Sequence, residues 1–243
     1  MAETPSYKDL AKRYGFEAVP PGVMQLTQLV ARQDSDVDEI AKLISKDPGL
    51  RKRLLRVANP DAEDESQYSV DTVEDALMRN GIGCALLLAM GTPLVSALGK
   101  TFQLMLSTKL EMIDFASAPA LEQEHLLGSI GFTGKAAGRV DLRMGMNSAI
   151  WVGAKVLGLQ PSELTNPGDA EDAVGELLNI VTGNFKSNLC DAGLDCRLQT
   201  PQVSRVTELI LPKVPGGGLE RMAFRTPELV LFVDVAVNPW EDD

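Results

Sequence analysis

The stretch 169–189, DAEDAVGELLNIVTGNFKSNL, constrains this chain more than any other. Its apolar residues Val174, Leu178, Val181, Phe185 and Leu189 recur at steps of three or four, the period of one buried stripe on an α-helix. At about 100° per residue, Glu176 and Asn179 fall on the opposite side, one turn apart. Gly175 and Gly183 are expected there with them. A glycine inside a helix costs roughly 1 kcal/mol relative to alanine. Two of them beside an acid and a carboxamide point to a surface on which something docks closely. A solvated face with indifferent residues would show the same periodicity.

The rest of the chain sets the frame for that helix. A length of 243 residues allows one large domain or two small ones, and a hydrophobic fraction of 44 % is ordinary for a folded protein. The formal charge is −11, about −3 of it in the first hundred residues and about −8 in the remainder. A net acidic chain is poorly suited to non-specific nucleic-acid binding, which depends on neutralising phosphates. The local basic cluster Arg51, Lys52, Arg53 and Arg56 is most simply a solvated helix face. No apolar run reaches the roughly 18–20 residues of a membrane span, and the opening MAETPSYKDL has no signal-peptide core. Cys84, Cys190 and Cys196 are too few and too badly spaced for a disulfide framework, so free thiols are expected. The expected location is the cytoplasm.

The first ninety residues read as helical. A short polar segment spans 6–14, and Val19-Pro20-Pro21-Gly22 starts the next element. Val23, Leu26, Leu29 and Val30 form its stripe. Ser35 or Asp36 caps a further helix, with Glu39 as capping-box partner. Asp47-Pro48 opens another, 59–69 is a polar loop, and Thr72 caps a helix that ends near Asn80-Gly81. The apolar run 81–90 should be buried on most sides. Pro93 is expected to end or kink it, which places a domain junction between about 88 and 95 and a separate helix at 94–106.

After Thr108 the texture becomes mixed. Strands are expected at 109–115, 126–132, 135–144 (half-buried, by its alternation), 197–200, 206–211, 221–225 and 228–237, with helices at 150–157 and from 169. The glycine run 216–218 lacks the lysine and the strand–helix context of a phosphate-binding loop. The fold class is therefore α+β: an all-helical segment, 1–92, then an α/β domain, 93–243, with an antiparallel-rich sheet against long helices.

Metal-dependent phosphohydrolysis of the His-Asp kind needs several histidines. The chain has one, His125, in the loop-like run LEQEHLL, and nothing marks it as catalytic. That chemistry is excluded for the helical segment, and no metal site or cofactor is expected in the chain itself.

The stretch GELLNIVTGNFKSNL resembles the signature helix of the CheX/CheC family of chemotaxis phosphatases, whose motif is an acid three residues before an Asn, followed by Gly-Asn. Here these are Glu176, Asn179, Gly183 and Asn184. GSIGFTGKAAGRVDLRM at 128–144 resembles the family's hairpin, and MNSAIWVGAKVLGL at 146–159 the helix after it. Residues 15–92, with PPGVMQLTQLVARQDSDVDEIAKLISKDPGLRKRLLRVAN, resemble the opening of an HDOD domain, a helical relative of the HD phosphohydrolases, at about half its full length.

The first resemblance implies a protein that dephosphorylates the aspartyl phosphate of a CheY-like response-regulator receiver. Asn179 would orient the attacking water, and Glu176 would pair with the receiver's lysine. Gly175 and Gly183 would admit the receiver backbone. Asp172, one turn before Glu176, would complement the helix dipole or form a rim contact. Any Mg2+ would belong to the receiver. Two alternatives stay open: a non-catalytic receiver-binding protein using the same face, and an adaptor working through its helical segment. Some relatives carry two signature helices. The counterpart at 94–106 has no acid three residues before an Asn, so one site is expected. Relatives can dimerise, which leaves a homodimer open.

Overall fold

A computed structural model of the chain describes residues 21–30, 32, 36–59, 62, 65–121, 123–135, 137–191, 194–208 and 218–237. The polar segment at 6–14, Ser35 and most of the glycine run 216–218 lie outside the described residues.

Side chains at the helix starts set the N-terminal elements. Helix α1 (Pro21–Val30) buries Leu26 and Val30. Helix α2 (Val37–Lys46) begins at Asp36, whose carboxylate accepts the Asp38 N–H at 3.0 Å. Helix α3 (Pro48–Ala58) begins at Asp47, which accepts from the N–H groups of Gly49 and Leu50 at 2.9 and 3.1 Å. Thr72 Oγ1 accepts the Asp75 N–H at 3.0 Å to open α4 (Val73–Asn80). Gly81 then closes α4 at φ 65°, a backbone that residues with a Cβ rarely adopt.

The expected break at Pro93 does not occur. Helix α5 (Ile82–Leu106) runs for 25 residues with Pro93 inside it. Proline in a helix interior costs about 3 kcal/mol. Met90, Leu94, Leu98 and Phe102 on the surrounding turns are fully buried, each worth roughly 1.5–3 kcal/mol, so tertiary packing outweighs the local preference. Helix α5 contacts α1, α3 and α4 and also the C-terminal sheet. The apolar residues of both halves form one continuous core.

The sheet comprises β1 (Glu111–Ile113), β2 (His125–Gly134), β3 (Gly138–Gly145), β4 (Cys196–Leu198), β5 (Gln202–Val206), β6 (Gly218–Arg225) and β7 (Val230–Val237). Its order is β1-β6-β7-β3-β2, with β4 and β5 following one another along the outer edge of β2. Every pairing is antiparallel. The strand expected at 206–211 lies earlier, because β5 is registered from His125↔Val206 to Ser129↔Gln202. Pro201, which cannot donate to a ladder, separates β4 from β5 at this edge. Helix α6 (Met146–Leu157) follows β3, and helix α7 (Pro167–Asp191) lies beside α5 on one sheet face. A Cβ on Gly128 of β2 would stand 3.2 Å from Leu178 Cδ2 and 3.6 Å from Val174 Cγ1. The bare strand there lets α7 seat closely.

Strand β3 was expected to be half-buried and is buried on both sides from Val140 to Gly145. Its polar side faces away from the helices, and its burial is tolerated because its charges are paired. Ser129 Oγ and Arg139 Nη2 donate to Asp141 at 2.7 and 2.8 Å. Arg143 donates to Asp234, as does Arg221 Nε at 3.3 Å. Arg221 also lies 4.2 Å from the Phe115 ring centroid. Asp141, Arg143 and Asp234 are each at most 2 % exposed. Burial pushes the Asp234 carboxyl above its ordinary range, against the pull of Arg143 and Arg221.

One contact ties the two halves at a single helix position. Arg53 of α3 forks onto Glu220 of β6, with Nε at 3.1 Å and Nη2 at 2.9 Å from Oε1. A Cβ on Gly91 of α5 would stand 2.3 Å from Arg53 Nη2 and 2.3 Å from Glu220 Oε2, so the ion pair lies flush against bare helix backbone. Gly91→Leu is expected to lower stability by about 1–3 kcal/mol through overpacking. Gly91→Ala should change it by less than about 1 kcal/mol, because helix propensity gains about that much as the two side-chain ends swing aside. Denaturant titrations check the pair, and a Gly91→Leu variant as stable as the wild type would show that the close packing is idle.

Candidate functional site on helix α7

Asn166 opens α7: its Oδ1 accepts the Gly168 N–H at 3.1 Å and its Nδ2 donates to Asp169 at 2.8 Å. Pro167 sits in the first turn, where its missing N–H removes no helical bond. Val174, Leu178, Val181, Phe185 and Leu189 are all fully buried, the stripe that the spacing predicts. Phe185 meets Phe132 of β2 edge to face at 5.9 Å between centroids.

The opposite side is open. Asp172, Glu176 and Asn179 are exposed, and Gly183 is half-buried. They follow one another at steps of four, three and four, which makes a single seam along the helix. The side chains of Glu176 and Asn179 make no hydrogen bond or ion pair with any described residue. The neighbouring Glu171, by contrast, is committed to Arg205 Nε of β5 at 2.7 Å. An accepting carboxylate and an amide that both donates and accepts therefore stand one turn apart, with their polar atoms available to a partner.

Gly175 departs from its expected place. It lies four residues beyond Glu171, on the same side, and that side looks toward β5. A Cβ there would stand 3.4 Å from Val203 Cγ2, an ordinary packing distance, so its position is explained within the chain and not by the open seam. Gly183 does lie on the open side, with nothing within 4 Å of where its Cβ would be. No described neighbour requires it to be glycine. Gly183→Ala should therefore raise stability by about 0.5–1 kcal/mol, measurable by denaturant titration. A loss of stability would reveal a contact that the free space does not show.

Between the buried stripe and the seam, two carboxamides reach α5. Asn184 Nδ2 donates to Thr101 Oγ1 at 3.3 Å, and Asn188 Nδ2 donates to the Pro93 carbonyl at 3.3 Å. The role of Asn188 escaped sequence reasoning. Its signal was the pair of Asn residues four apart, flanking an apolar stripe. His125 opens β2 and is not in a loop. It is 4 % exposed, neither ring nitrogen is hydrogen-bonded to a described residue, and it belongs to no part of the α7 seam. Cys190 and Cys196 are free thiols. Burial, then the neighbouring Cys190, pushes the Cys196 thiol up to about 11.

Residues 126–216 match the family model described as "Chemotaxis phosphatase CheX", and residues 17–118 match the one described as "HDOD domain". The chain thus pairs a CheX-like region with a preceding HDOD-like one. Among solved structures, the fold is similar to a CheX chemotaxis protein from Vibrio vulnificus, at 23 % identity and TM-score 0.53, covering 61 % of this chain and 96 % of that one. It is also similar to a CheC-like superfamily protein from Shewanella sp. PV-4, at 20 % identity and TM-score 0.51, covering 62 % and 97 %. A CheX–CheY–BeF3–Mg2+ complex from Borrelia burgdorferi matches at 19 % identity and TM-score 0.49, covering 60 % and 96 %. No curated protein matches the sequence. The 61 % of this chain covered by the Vibrio protein exceeds what residues 126–243 amount to. The CheX-like fold thus reaches back into the segment that the HDOD model also matches, where α5 lies. Among the described helices, none is long and apolar enough to cross a membrane.

Proposed function

We propose that the chain dephosphorylates the aspartyl phosphate of a CheY-like receiver domain, with the α7 seam as the surface that meets it. The observation that carries this reading is the pair Glu176–Asn179: exposed, uncommitted and one turn apart on the long helix of a domain matched by the chemotaxis-phosphatase family model. An acyl phosphate is already reactive, so the phosphatase has little covalent chemistry to supply. Asn179 holds a water in line with the phosphorus. A carboxamide suits the task because it fixes a water by donating and accepting without titrating, and its effect comes from positioning. Glu176 pairs with a cation on the receiver and sets the angle at which the helix docks. Asp172 lies one turn further out, at the rim, and Gly183 leaves room for the receiver backbone.

Mg2+ enters with the receiver and not with this chain. The HDOD segment regulates or recruits, since residues 1–124 contain no histidine with which to build an HD-type metal centre. The experiment is release of inorganic phosphate from a phosphorylated receiver with Mg2+ present, alongside metal analysis of the chain alone. Faster release with catalytic amounts of the chain is the expected result. Binding without faster release would replace this reading with the docking-only one. A stoichiometric tightly held metal in the isolated chain would overturn the assignment of Mg2+ to the partner.

A further inference from the structure

The Glu176–Asn179 seam works only if α7 presents it at one height and one rotation. The bulk of the contact between α7 and α5 is apolar, with Leu98, Phe102, Val181 and Phe185 in the same core. Apolar contact is non-directional and tolerates small slides and rotations. A hydrogen bond does not, since it weakens steeply with distance and angle. Two such bonds cross from α7 to α5, from Asn184 to the Thr101 hydroxyl and from Asn188 to the Pro93 carbonyl. Asn184 lies five residues from Asn179. Thr101 is 1 % exposed, so its hydroxyl has no solvent to turn to.

We propose that Asn184, acting through the Thr101 hydroxyl of α5, is a positioning residue that fixes the rotation of α7 and so aims Asn179 at the phosphate. This rests on the phosphatase reading above. Neither residue touches the substrate. Both act on how the catalytic amide is presented, and α5, which also carries the N-terminal helices, becomes the element against which the site is set.

The test compares Asn184→Ala, Thr101→Val, their double variant, and Thr101→Ser, which keeps the hydroxyl. Turnover of a phosphorylated receiver is measured together with amide hydrogen exchange over residues 172–183. Each of Asn184→Ala and Thr101→Val should lower kcat about tenfold while KM stays within about twofold. The double variant should be no worse than either single one, as for two halves of one interaction. Thr101→Ser should retain wild-type kcat. Losses that multiply in the double variant, a Thr101→Ser variant as impaired as Thr101→Val, or unchanged kcat in the single variants would each overturn the proposal. If the wild-type chain releases no phosphate, the phosphatase reading has failed and exchange alone decides. Exchange across 172–183 that quickens in Asn184→Ala and Thr101→Val but not in Thr101→Ser supports the link, and equal exchange in all four proteins refutes it.

Discussion

Asn179→Ala should lower the turnover of a phosphorylated receiver by roughly 10²–10³-fold, about 3–4 kcal/mol in the barrier, the usual loss when one preorganised polar group is removed. The same change should alter stability by about 0.5 kcal/mol or less. The Asn179 side chain is exposed, lies across the helix from the fully buried Val174, Leu178 and Val181, and makes no hydrogen bond to a described residue. Truncation opens no cavity and strands no buried group. Glu176→Ala should also reduce turnover, with part of the loss appearing as weaker receiver binding, because its proposed partner is a cation across the interface. Lys186→Ala, about two turns beyond Asn179 on the same helix, is the control and should matter much less. Dephosphorylation assays paired with melting curves measure both quantities at once. Near-wild-type turnover in Asn179→Ala would remove the water-orienting role from this helix.

The second large effect has the opposite character. Asp234→Ala should destabilise the fold by about 3–5 kcal/mol, because it removes the buried carboxylate to which Arg143 and Arg221 both donate. Asp234 is 1 % exposed and receives Arg143 and Arg221. Its side chain lies on the sheet face turned away from α7, so the variant that remains folded at low temperature should keep its turnover. The cost belongs to the buried cation that loses this counter-charge and not to the lost acid as such. Arg143→Met combined with Asp234→Leu should therefore recover much of it. Urea titrations of the three proteins decide the matter. A cost below about 1 kcal/mol for Asp234→Ala would mean that Arg143 finds a substitute partner, with Asp141 Oδ2 already 3.7 Å from its Nη2.

The helix that carries the candidate site was legible because its pattern is local. Spacing alone separates Val174, Leu178, Val181, Phe185 and Leu189 from Glu176 and Asn179. Helix starts at Asp36, Asp47 and Thr72 were legible for the same reason, since a cap and its N–H partner are two or three residues apart. What sequence reasoning got wrong was decided by contacts far along the chain. Pro93 signals a break, and only the burial of α5 from both halves overrides it. Asp234 alternates with apolar residues like a solvent-facing position, and the arginines of the two neighbouring strands, Arg143 and Arg221, make its burial tolerable. Gly175 and Gly183 stand about 80° apart at 100° per residue, with Gly175 nearer the apolar stripe, but the period does not say what fills that side. Val203, 28 residues downstream of Gly175, does.

The continuity of α5 has a consequence for how such a chain can be taken apart. A helix of 25 residues is about 37 Å of stiff rod, and here the CheX-like fold and the HDOD segment both lay claim to it. A cut at residue 93 divides the rod itself and leaves each fragment with half a helix and an uncovered apolar flank. A transplant of the CheX domain must carry residues 82–106 with it. The acquired surface that α1, α3 and α4 now cover would then need either these helices or a set of polar replacements. Heating the intact chain should accordingly produce one melting transition and not two, since neither half can lose its packing on α5 without disturbing the other. In that sense the chain resembles two rooms sharing a structural wall, and lineages that recombine such genes would be expected to keep their breakpoints outside it.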